Sequence, residues 1–297
     1  MDNDFASTRS AYHATARVQL AAHCKQSAIQ KDSSPSVTML PRFASAISRL
    51  TNIQLAGLAP LDPALQLFQD GQLTCWYTPF EHVNATAKIV LVGITPGQTQ
   101  LLNGLREVKA ELSRGGSITD TLAKAKLVGA FSGHLRQNLV AMLDHAGFNR
   151  WLGLHSTLDL FSSARALVHS TSVLRHAVFY KGKNYNGTPN MLRHSVLRRH
   201  LLDHFAVEAA TLQHAIFVPL GEKAAAALHF LADEYVLPRA NIFAGLPHPS
   251  PANIERIRFF TGVKPQSALS AKTNALKLIA ARTDLQQRVC ALAICGN

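Results

Sequence analysis

The hydrophobic positions of this chain follow two periods. AKIVLVGI at 87–94 is a continuous, β-branched apolar run, the pattern of a strand buried on both faces of a parallel sheet. ALVHSTSVL (166–174) and HAIFVPLG (214–221) read as a second and a third strand, and ANIFAG, from residue 240, as a short fourth. Helical spacing covers about 101–127, 135–147 and 190–205, then EKAAAALHFLADEY after the third strand and a closing helix in the last 30 residues. Strands alternating with helices predict an α/β fold. The expected form is a three-layer α/β/α sandwich around a mostly parallel four-stranded sheet.

The first 70 residues read differently. An Ala-rich stretch at 5–30 suits an amphipathic helix, and KDSSPSVT at 31–38 is a polar linker. A second helix is expected over about 41–57, and PLDPALQLFQDG at 60–71 reads as a capped turn and short helix ending at Gly71. The chain thus divides into an N-terminal helical accessory region, 1–70, and an α/β domain, 71–297.

Charge narrows the partner. Lys and Arg number 30 against 18 Asp and Glu, a formal charge of +12. That excess suits a polyanion such as DNA, whose condensed counterions are released by each bound cation. Four cysteines (24, 75, 290 and 295) form no CxxC pair, so neither a zinc site nor a disulfide framework is expected. The N-terminus has no signal-peptide pattern, and no apolar run reaches the roughly 20 residues that span a bilayer. The expectation is a cytoplasmic monomer with no membrane partner and no cofactor or metal.

Two loops carry unusual chemistry. VGITPGQTQ (92–100) leaves the first strand, and Gly93, Pro96 and Gly97 form a turn that lets backbone amides approach a ligand. PHPSPAN (247–253) leaves the last, and its three prolines hold His248 and Ser250 on a stiff frame. In open parallel sheets ligands bind beyond the carboxyl ends of the strands, where both loops fall.

The pair G-x-x-P-G early and H-P-S-P late, with VPLGEKAAAAL between them, resembles the signature motifs of the uracil-DNA glycosylase superfamily over residues 75–263. The resemblance implies a DNA glycosylase that hydrolyses the N-glycosidic bond of a flipped-out base. It makes His248 the group that stabilises the departing base, with Thr95 and Gln98 positioning water. Gly93, Ile94, Pro96 and Gly97 would cradle the base, while Pro249 and Ser250 would press on the DNA backbone. Asn253, Arg256 and Arg258, which follow directly, are further DNA-contact candidates. Arg256 and Arg258 cannot share one helix face.

Three positions depart from the family pattern. The first loop carries Thr95 where members place Asp or Asn, and Ile94 where one branch has Glu, so it contains no carboxylate. Either Thr95, Gln98 and backbone groups position the water or a carboxylate arrives from elsewhere, Glu81 and Asp144 being conceivable. Ser172 stands where uracil-reading members carry Asn. The loop at 179–189 is rich in aromatic faces and donors, with Phe179, Tyr185 and Asn186 as base-pocket candidates and Lys181 and Lys183 as DNA contacts. A shorter side chain at Ser172 leaves room for an altered, bulky pyrimidine. Hypermodified bases of phage DNA are one such class, which makes defence a possible role. The alternative from another class is a catalytically inactive glycosylase fold that binds modified DNA.

Other chemistries fit less well. His200 and His204 have metal-ligand spacing, but Leu201 stands where the zincin pattern needs Glu. GAFSG has its Ser one place late for a nucleophile elbow, and there is no P-loop motif.

Overall fold

A computed structural model describes residues 38–295, apart from Ala130, Ser132 and Tyr235. The expected helix at 5–30 and most of the linker after it lie outside the described residues.

In chain order, helix α1 (Leu40–Arg49) precedes strands β1 (Gln66–Asp70), β2 (Leu73–Trp76) and β3 (Ile89–Gly93). Helices α2 (Gln98–Ser113), α3 (Ile118–Gly129) and α4 (Gly133–Ala146) follow, then β4 (Val168–Ser172), β5 (Ala177–Tyr180) and β6 (Lys183–Asn184). Helix α5 (Ser195–His200) continues through a π-helical turn, Leu201–Ala206, into Val207–Thr211. The chain closes with β7 (Ile216–Pro219), α6 (Glu222–Asp233), α7 (Ile254–Phe260) and α8 (Ala275–Cys295).

The fold is α/β, with two sheets. The parallel sheet has the order β4-β3-β7, three strands where four were expected. The fourth segment joins by a single parallel bridge between Phe217 and Ile242. Beyond Ile242 the chain runs towards Pro247, which has no amide proton to continue a ladder.

Alternation along β3 sorts the core. Val90 and Val92 pack with Leu197, Leu201, Phe205 and Leu228. Ile89 and Leu91 pack instead with Leu139, Met142, Ile257 and Leu285. The central strand therefore buries both faces against helices, which is why its sequence is apolar without interruption.

The second sheet is antiparallel, in the order β1-β2-β5-β6, and the apolar pattern did not announce it. It corrects the short helix expected at 60–71, which is a 3-10 turn at Pro63–Leu65 followed by β1. The hairpin from β1 to β2 turns through Gly71, whose φ of 56° suits a two-residue loop. This hairpin straddles residues 70 and 71, where the accessory region was expected to end. Leu40, Phe43 and Ile47 of α1 share a buried cluster with Leu101 and Leu105 of α2, so residues from 40 onward pack into the same body. The single helix expected over 101–127 is two, broken at Gly115, whose φ is 70°.

Candidate functional site at the carboxyl edge of the parallel sheet

The two motif loops lie at the same carboxyl edge of the parallel sheet, the first leaving β3 and the second packed beside the end of β7. Gly93 at the end of β3 lies opposite Ser172 at the end of β4, and a Cβ on Gly93 would stand 3.3 Å from the Ser172 hydroxyl. On the other flank, the Leu220 amide donates to the Val92 carbonyl at 2.9 Å and the Gly221 amide to Leu246 at 3.2 Å. A Cβ on Gly221 would stand 3.1 Å from that of His248, so this glycine lets the Pro-rich loop close on the strand end.

His248 is half-buried, and burial holds its pKa below the ordinary histidine value. The Ser250 amide donates to its Nδ1 at 3.2 Å. A ring that accepts at Nδ1 and is neutral carries its proton on Nε2, so His248 presents an Nε2–H donor. Its frame is fixed on both sides. Asn138 donates to the Pro249 carbonyl at 2.9 Å, and Asn253 donates to the Ser250 hydroxyl at 3.0 Å. Arg256 extends this chain by donating to Asn253 at 3.2 Å. Arg258 is exposed and takes no part in it.

The first loop is tied to its surroundings by residues expected to act on water. The Thr95 hydroxyl donates to the His176 carbonyl at 2.9 Å and accepts from the Val178 amide at 3.0 Å. Both bonds hold the loop against β5, so this hydroxyl is committed to the scaffold. Gln98 is exposed, and its amide, at the start of α2, donates to Asn184 at 3.0 Å. Gln100 carries the internal bracing instead, accepting from the Gly97 amide at 2.9 Å and donating to the Gly129 carbonyl at 3.0 Å. Ile94 is half-buried against the core.

Beside this loop lies a small cleft of about 30 Å³, room for about a water molecule or two. Of the motif candidates Pro96 and Ser172 line it, with Phe80, Gln100, Lys126 and Arg175, which sequence reasoning missed; Gly93, Ile94, Gly97 and His248 are not in its lining. The Phe80 ring is seated between α2 and α3 by missing side chains: a Cβ on Gly129 would stand 2.0 Å from it, and one on Gly104 2.9 Å. Only the TPF run after β2 hinted at this aromatic wall.

Other candidates sit elsewhere. Tyr185 is a core residue whose hydroxyl donates to the Pro189 carbonyl, and Phe179 packs onto the cluster around Tyr77. Asn186 is exposed and accepts from the Thr188 amide at 3.2 Å. Lys181 and Lys183 are exposed on the β5–β6 hairpin, which turns through Lys181 and Gly182, both at positive φ.

Neither carboxylate considered for water activation reaches the pocket wall. Glu81 accepts from the Met39 amide at 3.1 Å and from Thr38, and burial raises its pKa. Asp144 accepts from Ser156 and from the Thr157 amide, both at 2.7 Å.

Behind the pocket a buried carboxylate organises the charges. Glu208 accepts from Arg175 Nη2 and from His169 Nε2, both at 2.7 Å, and lies 3.8 Å from Lys126. Burial alone would raise its pKa, but Lys126, Arg175 and His169 hold it well below the carboxylate range. Burial pushes Lys126 down to about 8 against the pull of Glu208. The residues of this network come from three distant segments, around 126, 169–175 and 208, so no local motif announces it.

His176, His200 and His204 form a second polar cluster, with ring centroids 4.5–5.5 Å apart. Among the described residues no group of three His, Cys, Asp or Glu side chains is arranged to hold a metal. No helix among them is long and apolar enough to cross a membrane.

Fold and site together define an α/β protein with a donor-lined pocket at the carboxyl edge of a short parallel sheet. An uncharacterized protein of Bacillus subtilis (strain 168), YoxB, is 34% identical over 233 residues, covering 76% of this chain and 90% of its own length. The chain belongs to the same family as YoxB. No family model matches it, and no solved structure does.

Proposed function

We propose that this protein is a DNA glycosylase, hydrolysing the N-glycosidic bond of a flipped-out modified pyrimidine to leave an abasic site. The observation that carries the reading is His248: a neutral ring at the carboxyl edge of the sheet, Nδ1 engaged by Ser250 and Nε2–H left as a donor. When the bond from the sugar to the base breaks, the electron pair leaves with the base and positive character develops on the sugar. A fixed neutral donor facing the departing base stabilises the first charge without reorganising. Water then adds to the sugar carbon, and its proton is released.

The cleft, about 30 Å³, must widen to take an extruded base, but its lining has the groups to hold one. Phe80 offers an aromatic face, Pro96 a rigid edge, and Ser172 and Arg175 hydrogen-bond donors. Ser172 is shorter than the amide that uracil-reading members of the superfamily carry, which favours a bulkier pyrimidine than plain uracil once the cleft widens. The reading carries with it the three-layer sandwich, supported by helices packed on both faces of β3. It also carries a cytoplasmic location, and a DNA partner that the charge of +12 supports.

A second reading is favoured by one observation: the Thr95 hydroxyl is spent on the scaffold, and the loop has no carboxylate. On that reading the fold binds modified DNA without cutting it. Incubating the protein with DNA containing uracil, hypoxanthine or modified cytosines, then cleaving abasic sites with alkali, separates the two. Release confined to uracil DNA contradicts the modified-base reading. Binding without any abasic site favours the second.

A further inference from the structure

A larger cavity, about 340 Å³, opens along the free edge of β4, on the far side of Lys126 and Ser170 from the smaller pocket. Its size falls in the range of small-molecule sites. Part of its wall is apolar, formed by Leu127, Leu160, Phe161 and Val168. Every residue of the lining that carries formal charge is basic: Lys124, Lys126, Arg136 and Arg165.

The two carboxylates that pair with lining lysines are each shared with a second cation. Glu111 is shared by Lys124 at 2.6 Å and Arg114 at 2.8 Å, and Glu208 by Arg175 and Lys126. Each carboxylate thus faces two cations. Arg165 is exposed and makes no ion pair with a carboxylate among the described residues.

Lys126 adds an independent observation. Its side chain is 9% exposed, and its ammonium donates to the His82 carbonyl at 2.7 Å. The nearby His169 Nε2, at 3.2 Å, offers it no lone pair. His169 accepts the Asn84 amide at Nδ1 and donates from Nε2 to Glu208, so Nε2 carries a proton. A buried cation is therefore left with donor capacity at the wall of this cavity.

We propose that the cavity beside β4 binds a phosphate monoester with an apolar or aromatic body, of about mononucleotide size. The excess of positive charge at its wall matches a phosphate near −2 better than a carboxylate at −1. The apolar surface of Leu127, Leu160 and Phe161 would take the body of the ligand. The site is separate from the one proposed for base excision, although Lys126 and Ser170 border both.

Titration calorimetry on the full chain tests this with thymidine 5′-monophosphate as the probe, against thymidine and inorganic phosphate. The monophosphate is expected to bind at least about tenfold tighter than either, which is about 1.4 kcal/mol. Arg165→Glu, at an exposed position, is expected to weaken it about tenfold, and Leu127→Asp similarly, while His248→Ala leaves it unchanged. No heat with the monophosphate, equal affinity for thymidine or for inorganic phosphate, or insensitivity to Arg165→Glu overturns the proposal. Loss of binding in His248→Ala but not in Arg165→Glu also overturns it, by moving the ligand to the motif loops.

Discussion

The Ser250 amide donates to Nδ1 of His248 across 3.2 Å, and this bond decides what the histidine can do. It leaves Nε2 as the protonated nitrogen, while burial keeps the ring neutral below the ordinary histidine pKa. A neutral donor predicts a definite pH profile. Base release should hold as pH falls through 6.5, the ordinary value, and decline only as the lowered His248 pKa is crossed. Single-turnover rates between pH 5 and 8 check this, and activity that rises on acidification through 6.5 contradicts it.

Thr95 should behave as a structural residue. Thr95→Val removes a hydroxyl that joins the His176 carbonyl to the Val178 amide, leaving both without that partner. A loss of about 1–3 kcal/mol of stability is expected, the cost of orphaned polar groups. Urea denaturation measures it. An unchanged midpoint with abolished base release would instead assign the hydroxyl to water.

Gly129→Ala should disturb the pocket from behind. The new methyl would stand 2.0 Å from the Phe80 ring, closer than any Cβ contact allows, so the ring must leave its slot. Overpacking of this kind costs about 1–3 kcal/mol. Weaker binding of modified DNA should accompany the lower melting temperature; a variant that matches wild type in both contradicts the role given to Phe80.

Acid should unfold the protein through its buried histidines. Burial and Lys126 push His169 down to about 4, and burial and His204 push His200 down to about 3. Both pKa values are lowered in the folded state, so the unfolded chain binds these protons first. Their contribution to stability is fully present above about 6.5 and is lost as pH falls towards 4 and 3, at up to about 1.4 kcal/mol per pH unit for each ring. His200→Leu also removes a buried, unpaired Nε2, and should flatten the slope of stability between pH 4 and 6. A slope as steep as wild type argues against the assignment.

The sequence made the parallel strands legible because β3 and β7 are apolar without a break, as burial on both faces requires. The antiparallel sheet was not legible. Gln66–Asp70 is half-exposed and short, and its polar residues imitate a helix end more than a strand. An Asp-Gly turn signal did stand at 70–71. Within the site, the stiff proline frame around His248 could be read locally, because its contacts run over a few residues. The pocket wall could not. Phe80, Lys126 and Arg175 come from three distant segments, and Tyr185, read as a pocket aromatic, packs inward as core.

Base release from DNA carrying single modified pyrimidines, measured side by side for the wild type and His248→Ala, tests the central claim most directly. Free base and an abasic site are expected from a bulky modified pyrimidine, with the variant slower by on the order of a hundredfold, as for the loss of one preorganised donor. Firm binding of the same DNA with no abasic site from either protein would contradict the account.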